Sequence, residues 1–183
     1  MKTRVLNRFL GIFILSVFSF SCASDLDFNQ TKNLKLEPVF VGNLAYFDVP
    51  ANQFVTNGLE QSLFIDTPTI DVFNDSFFRE NLKRVDLFFE INNTINRAYT
   101  IELIYLDRDN QPLFTMNFDI AAYSGVVNLV AKTEVFENAK LDVLKSTVRI
   151  SFVIKMLPGP ILSEDSLGSL KMRSGVTAYF VVE

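Results

Sequence analysis

The chain has no histidine and no tryptophan, and among its 183 residues there is one cysteine, Cys22. Without imidazole there is no His-dependent triad, no histidine general base and no imidazole metal site. A single thiol excludes thiolate metal clusters and internal disulfides. The seven glycines are scattered, so no glycine-rich phosphate loop is formed. Long apolar runs are also missing. The longest, Phe9 to Phe20, follows Lys2, Arg4 and Arg8 and is too short to serve as a permanent membrane span, but it suits a cleaved secretory leader.

Cys22 stands at the end of that run, behind the small residue Ser21. This arrangement resembles the signal of bacterial lipoproteins, with Ser19 and Phe20 where that pattern usually has Leu and Ala or Ser. The resemblance implies cleavage before Cys22, acylation of its thiol and a lipid anchor, so the expected organisation is a signal over 1–21, a tether over 22–32 and one domain over 33–183. Ala23 in place of Asp implies the outer membrane rather than retention in the inner one. The acidic stretch Ser24 to Asp27 resembles a surface-export tag and equally suits a solvated tether, which leaves the periplasmic or cell-surface face open. Extended, the eleven tether residues reach about 35 Å at roughly 3.3 Å each.

Cleavage leaves 162 residues, enough for one domain with a real core. It also removes three basic residues, leaving 14 Lys+Arg against 21 Asp+Glu and a net charge of −7. Such a surface disfavours nucleic acid. No cofactor, metal or catalytic constellation is expected, and the chain is read as a non-enzyme. Asp107 to Gln111 has the start of a calcium loop but lacks its glycine and distal glutamate, so a hairpin turn is expected.

The mature part alternates apolar and polar residues in short runs. Val85, Leu87, Phe89 and Ile91 share one strand face; Tyr99, Ile101, Leu103 and Tyr105 share another; Leu113 to Ile120 follows a turn at Asp107 to Asn110. These three are expected to pair as a meander. Val148, Ile150, Phe152, Ile154 and Met156 mark a further strand, stopped by Pro158-Gly159-Pro160. Strands are also expected around Val39 to Val49, Ser62 to Ile65, Thr69 to Phe73, Val126 to Ala131, Ser169 to Met172 and Val176 to Val182. A small helix is expected over Asn74 to Leu82 with Phe77, Phe78 and Leu82 inward. Thr133 to Lys145 reads as a helix or as strand plus turn. Eight or nine strands without strand-helix-strand repeats point to an all-β, two-layer antiparallel sandwich with one or two short helices; a small calycin-like barrel is the alternative.

The stretch from Val85 to Phe118, an apolar strand ending in Asn followed by a second strand and an acidic, Asn-rich turn, resembles Ig-like sandwiches of the late-embryogenesis-abundant type. That implies fold only. The whole chain resembles small Phe-rich surface lipoproteins of Gram-negative bacteria. The expected role is a non-catalytic interaction or accessory module of the cell envelope with a protein partner there, and the alternative is a carrier of hydrophobic ligands. Fifteen phenylalanines remain after cleavage. Most are expected in the core, Phe88 included, under a covering layer. A ligand cavity, if built, is expected against Phe89, Leu103, Phe118 and Phe152. Asp165-Ser166-Leu167 resembles a bacterial O-glycosylation acceptor, with Ser166 as the modified residue.

Overall fold

The computed structural model describes residues 35–70, 73 and 75–182. The expected signal, the tether and Cys22 lie outside the described residues. Ten strands are described: β1 Val39–Pro50, β2 Val55–Thr56, β3 Leu59–Glu60, β4 Leu63–Asp66, β5 Leu82–Asn93, β6 Tyr99–Leu106, β7 Pro112–Ile120, β8 Leu129–Glu137, β9 Arg149–Met156 and β10 Ser169–Phe180. A 3-10 turn covers Ala51–Phe54, and two helices, α1 Ser76–Asn81 and α2 Ala139–Ser146, join strands.

Two four-stranded sheets form, in the orders β1-β10-β5-β8 and β4-β9-β6-β7, beside the small β2-β3 hairpin. Every pairing is antiparallel. Each strand of the first half pairs with its mirror image in the second: β1 with β10, β4 with β9, β5 with β8, β6 with β7. A long double strand folded at the β6-β7 turn has thus been rolled into two layers, which is the jelly-roll arrangement. The expected all-β sandwich is what forms. Its strand order is that of a jelly roll and not the Ig order, and the sheets keep free edges instead of closing into a barrel.

Alternation decides the core. Val85, Leu87, Phe89 and Ile91 from one sheet, and Tyr99, Ile101, Leu103 and Tyr105 from the other, are all 0–1% exposed. At about 1.5–3 kcal/mol for each large apolar side chain removed from water, these two stripes are the main source of stability. The expected meander is not formed, because β5 belongs to one sheet and β6 to the other. Between them the chain bends across the layers, held by Asn93, whose side-chain amide donates to the carbonyls of Arg97 and Ala121 at 2.8 Å each, while its carbonyl accepts from the Ile95 amide at 3.0 Å. Gly168 closes against the same bend. Its φ is +100°, and a Cβ there would lie 2.3 Å from the Thr94 carbonyl oxygen.

Other expectations shift at their ends. Ser169–Phe180 is one strand, continuous through Ser174-Gly175. Thr133 to Lys145 divides into the end of β8 and helix α2, which buries Leu141 and Leu144. Thr69 makes an isolated bridge to Arg149, and residues 71 and 72 of the expected strand lie outside the described residues. Helix α1 is capped by Asp75, whose carboxylate accepts from the Phe77 amide at 2.9 Å. Leu82 is buried as expected, but Phe77 is 42% exposed. Phe88 is 38% exposed, so among the described residues no layer covers it on the outer face of β5.

Candidate functional site

The two sheets do not close along the side where their edge strands β1 and β4 face each other. β1 has twelve residues and β4 four. After Asp66 the chain passes through Pro68, which has no amide to extend a ladder. It then crosses to β9 through two backbone bonds, Ile150 to the Pro68 carbonyl and Ile70 to the Val148 carbonyl. The mismatch in strand length leaves an apolar cleft of about 470 Å³ between the sheets. That volume is in the range of small-ligand sites.

One wall is built from β1, with Leu44, Ala45, Phe47 and Val49, and the other from Phe64 of β4 and the crossing segment at Ile70. The floor comes from the inward residues Phe89 and Met172 of one sheet and Ile150, Phe152 and Ile154 of the other. Among the described residues Asp66 is the one charged side chain in the lining, and Thr69 adds polarity at the rim. Phe64 is held by an edge-to-face contact with the buried Phe54, centroids 4.8 Å apart, so this wall is anchored in the core.

Of the four residues expected to line a cavity, Phe89 and Phe152 meet there, one from each sheet. Leu103 and Phe118 are 0% and 3% exposed and belong to the closed core, where Phe118 packs edge-on to Phe89 at 5.8 Å. β6 and β7 stand on the side of their sheet away from β4, which is why those two side chains cannot reach the cleft. Phe47, Phe64, Ile70 and Met172 were not anticipated. Phe47, Phe64 and Met172 are ordinary inward residues of their strands and Ile70 lies on the crossing segment; only the opening between β1 and β4 turns them into lining.

The remaining polar clusters are structural. Arg97, 6% exposed, donates to both carboxylate oxygens of Glu60 at 3.0 and 3.2 Å and to the carbonyls of Leu157 and Pro160, while Glu60 also accepts from the Leu162 amide at 2.7 Å. This pair ties three loops at one end of the sandwich. Asp107 accepts from the amides of Asp109 and Gln111, both at 2.8 Å, and Asn110 takes a positive φ of 60°, so the expected hairpin turn is what the segment forms. Ser166 lies in the β9-β10 loop with its hydroxyl accepting from the Ser163 amide at 2.8 Å. Among the described residues no three acidic or cysteine side chains converge as metal ligands, and no helix is long and apolar enough to cross a membrane.

No protein-family model matches the chain, and no curated protein matches it. Among solved structures it is similar to the VP2 subviral particle of infectious bursal disease virus, at 14% identity over 79% of this chain and 38% of that one, with a TM-score of 0.39. It is also similar to turnip yellow mosaic virus, at 8% identity over 82% of each chain with a TM-score of 0.33. Desmodium yellow mottle tymovirus matches at 8% identity over 81% of this chain and 90% of that one, with a TM-score of 0.35. The chain spans about two fifths of the length of the first of these. The jelly-roll assignment rests on strand order and not on these likenesses, which carry no argument about role.

Proposed function

We propose that the chain is a non-catalytic interaction module of the cell envelope, anchored by lipid at Cys22, that seats an apolar group of its partner in the cleft between β1 and β4. The observation that carries this reading is the cleft: about 470 Å³, with aromatic walls from both sheets and, among the described residues, a single charge in its lining. Apolar concavities with a few polar groups at the rim are the usual form of a binding site. The anchor and the outer-membrane address rest on the sequence around Cys22. Replacing Cys22 by Ala should abolish palmitate incorporation and release the chain from membranes.

A second reading, a carrier of free hydrophobic ligands, is favoured by the enclosure of the cleft between two sheets. Native mass spectrometry of the chain purified from its own envelope separates the two. A lipid-sized adduct that disappears in Ile70→Trp, a substitution that fills the cleft, supports the carrier. A cross-linked protein that disappears in the same variant supports the module. Retention of either in Ile70→Trp would remove the cleft from the account.

A further inference from the structure

Four strands end the two sheets: β1 and β8 in one, β4 and β7 in the other. Three carry the devices that keep a free edge from pairing with another chain. β4 is four residues long and ends at Asp66 with Pro68 just beyond; β7 begins at Pro112 and carries Asp119; β8 carries Lys132, Glu134 and Glu137. β1 confines them to its far end, at Asp48 and Pro50. It is twelve residues long, and its first nine, Val39 to Phe47, hold neither a charge nor a proline. Val39, Phe40 and Val41 are 53%, 56% and 79% exposed, so both faces of its first half are open.

β1 does have a bulge between Asn43 and Tyr46. Bulges can turn an edge away from partners. Here the hydroxyl of Ser174 on β10 donates to the Ala45 carbonyl and accepts from its amide, both at 2.9 Å. The Ala45 backbone groups that the bulge takes out of the β10 ladder are thereby satisfied, and pairing resumes at Tyr46, shifted by one residue, and runs to Pro50. The second half of the same strand forms one wall of the cleft.

We propose that the partner presents an extended, uncharged strand that adds to the free edge of β1 and lowers one apolar side chain into the cleft. A row of unpaired amides and carbonyls is complemented by another strand and by no lipid tail. In strand addition the main chain supplies affinity and a pocket beneath the edge supplies specificity. The juxtaposition of an unguarded edge and an apolar cleft in one element gives both parts. This inference rests on the reading of the cleft as a binding site and names the chemistry of its occupant.

The test uses the purified full chain and a displayed library of short random peptides, with anilinonaphthalene sulfonate as an independent probe of the cleft. Enriched peptides should be uncharged with alternating apolar residues. Their affinity should fall roughly tenfold or more when alternate peptide amides are N-methylated, and likewise in Val41→Lys, while Val41→Thr binds as the parent does. Dye binding should be unchanged in both variants, since the Val41 side chain faces solvent, and bound peptide should slow amide exchange over residues 39–47. Peptides that tolerate N-methylation and Val41→Lys would overturn strand addition and leave the cleft reading standing. So would the absence of enriched peptides alongside dye displaced by oleate or by phospholipid vesicles. A chain that binds neither dye nor peptide would overturn both.

Discussion

Two buried polar residues near the β5-β6 bend show how differently single side chains can be used. Asn93 is 0% exposed and its side chain makes three hydrogen bonds, so it fixes the path by which the chain leaves one sheet for the other. Tyr99 is equally buried, but its hydroxyl has no partner among the described residues. Burial pushes its ionisation far above the ordinary phenol range, with the Glu60 charge adding to the shift and Arg97 opposing it. A buried donor without a partner costs about 1–3 kcal/mol, and removing it leaves the ring packing against Phe54 intact. Tyr99→Phe should therefore be neutral or stabilising by about 1 kcal/mol in urea unfolding. A loss of 2 kcal/mol or more would reveal a hydrogen bond to the hydroxyl. The sequence made Tyr99 legible as an inward residue, since it heads the alternation of β6. It did not make Asn93 legible beyond a break in a run, because a buried and a solvated asparagine look alike until the bend around them is known.

At the level of elements, period-two patterning located most strands, while their partners were hidden. β5 and β6 are adjacent in sequence with a five-residue connection, and a hairpin is the simplest reading of that spacing. What sends them to different sheets is the buried bend anchored by Asn93 and closed by Gly168 and by the Thr94–Ser169 hydrogen bond, between residues 75 apart in sequence. Likewise Ser174-Gly175 looked like a break in β10. The ladder continues through it because the bulge in β1 lies opposite and Ser174 bonds across. Two of the cleft's residues were legible for the same reason: Phe89 and Phe152 are inward on clean strands, whereas Phe64 and Ile70 become lining through the shortness of β4. Ser174→Ala removes both bonds to Ala45 and should cost about 1 kcal/mol. Amide exchange should quicken at residues 44–46 more than in β5 or β9. Unchanged exchange there would mean that the bulge holds its shape without the hydroxyl.

At the scale of the whole molecule, charges on the outer faces of the sheets pair across strands, as with Lys171–Asp48 at 2.9 Å, Lys155–Glu102 at 2.6 Å and Arg173–Glu90. The Lys171 ammonium bonded to Asp48 and the Arg173 guanidinium bonded to Glu90 hold both carboxyls below their ordinary values, against a weaker opposing effect of desolvation. A carboxyl depressed in the folded state contributes stability that is fully present above its unfolded pKa and is lost as pH falls through the folded one. The melting temperature should therefore decline as pH drops through and below the ordinary carboxylate range. That decline should be shallower in the double variant Lys171→Gln, Arg173→Gln and at high salt, because exposed pairs are screened. An acid limb of equal steepness in the variant would assign the loss to other groups. The mirror pairing also joins residues far apart in sequence, such as Val39 with Tyr179, which is the topology of a slow folder. A domain rolled in this way keeps both members of its outermost pair near a free edge, and it is there that the cleft opens. That the cleft is a binding site is tested most directly by titrating anilinonaphthalene sulfonate into the native chain and into Ile70→Trp. The account predicts saturable, single-site fluorescence enhancement in the native chain and its loss in the variant at unchanged melting temperature; equal enhancement in the two, or none in the native chain, would contradict it.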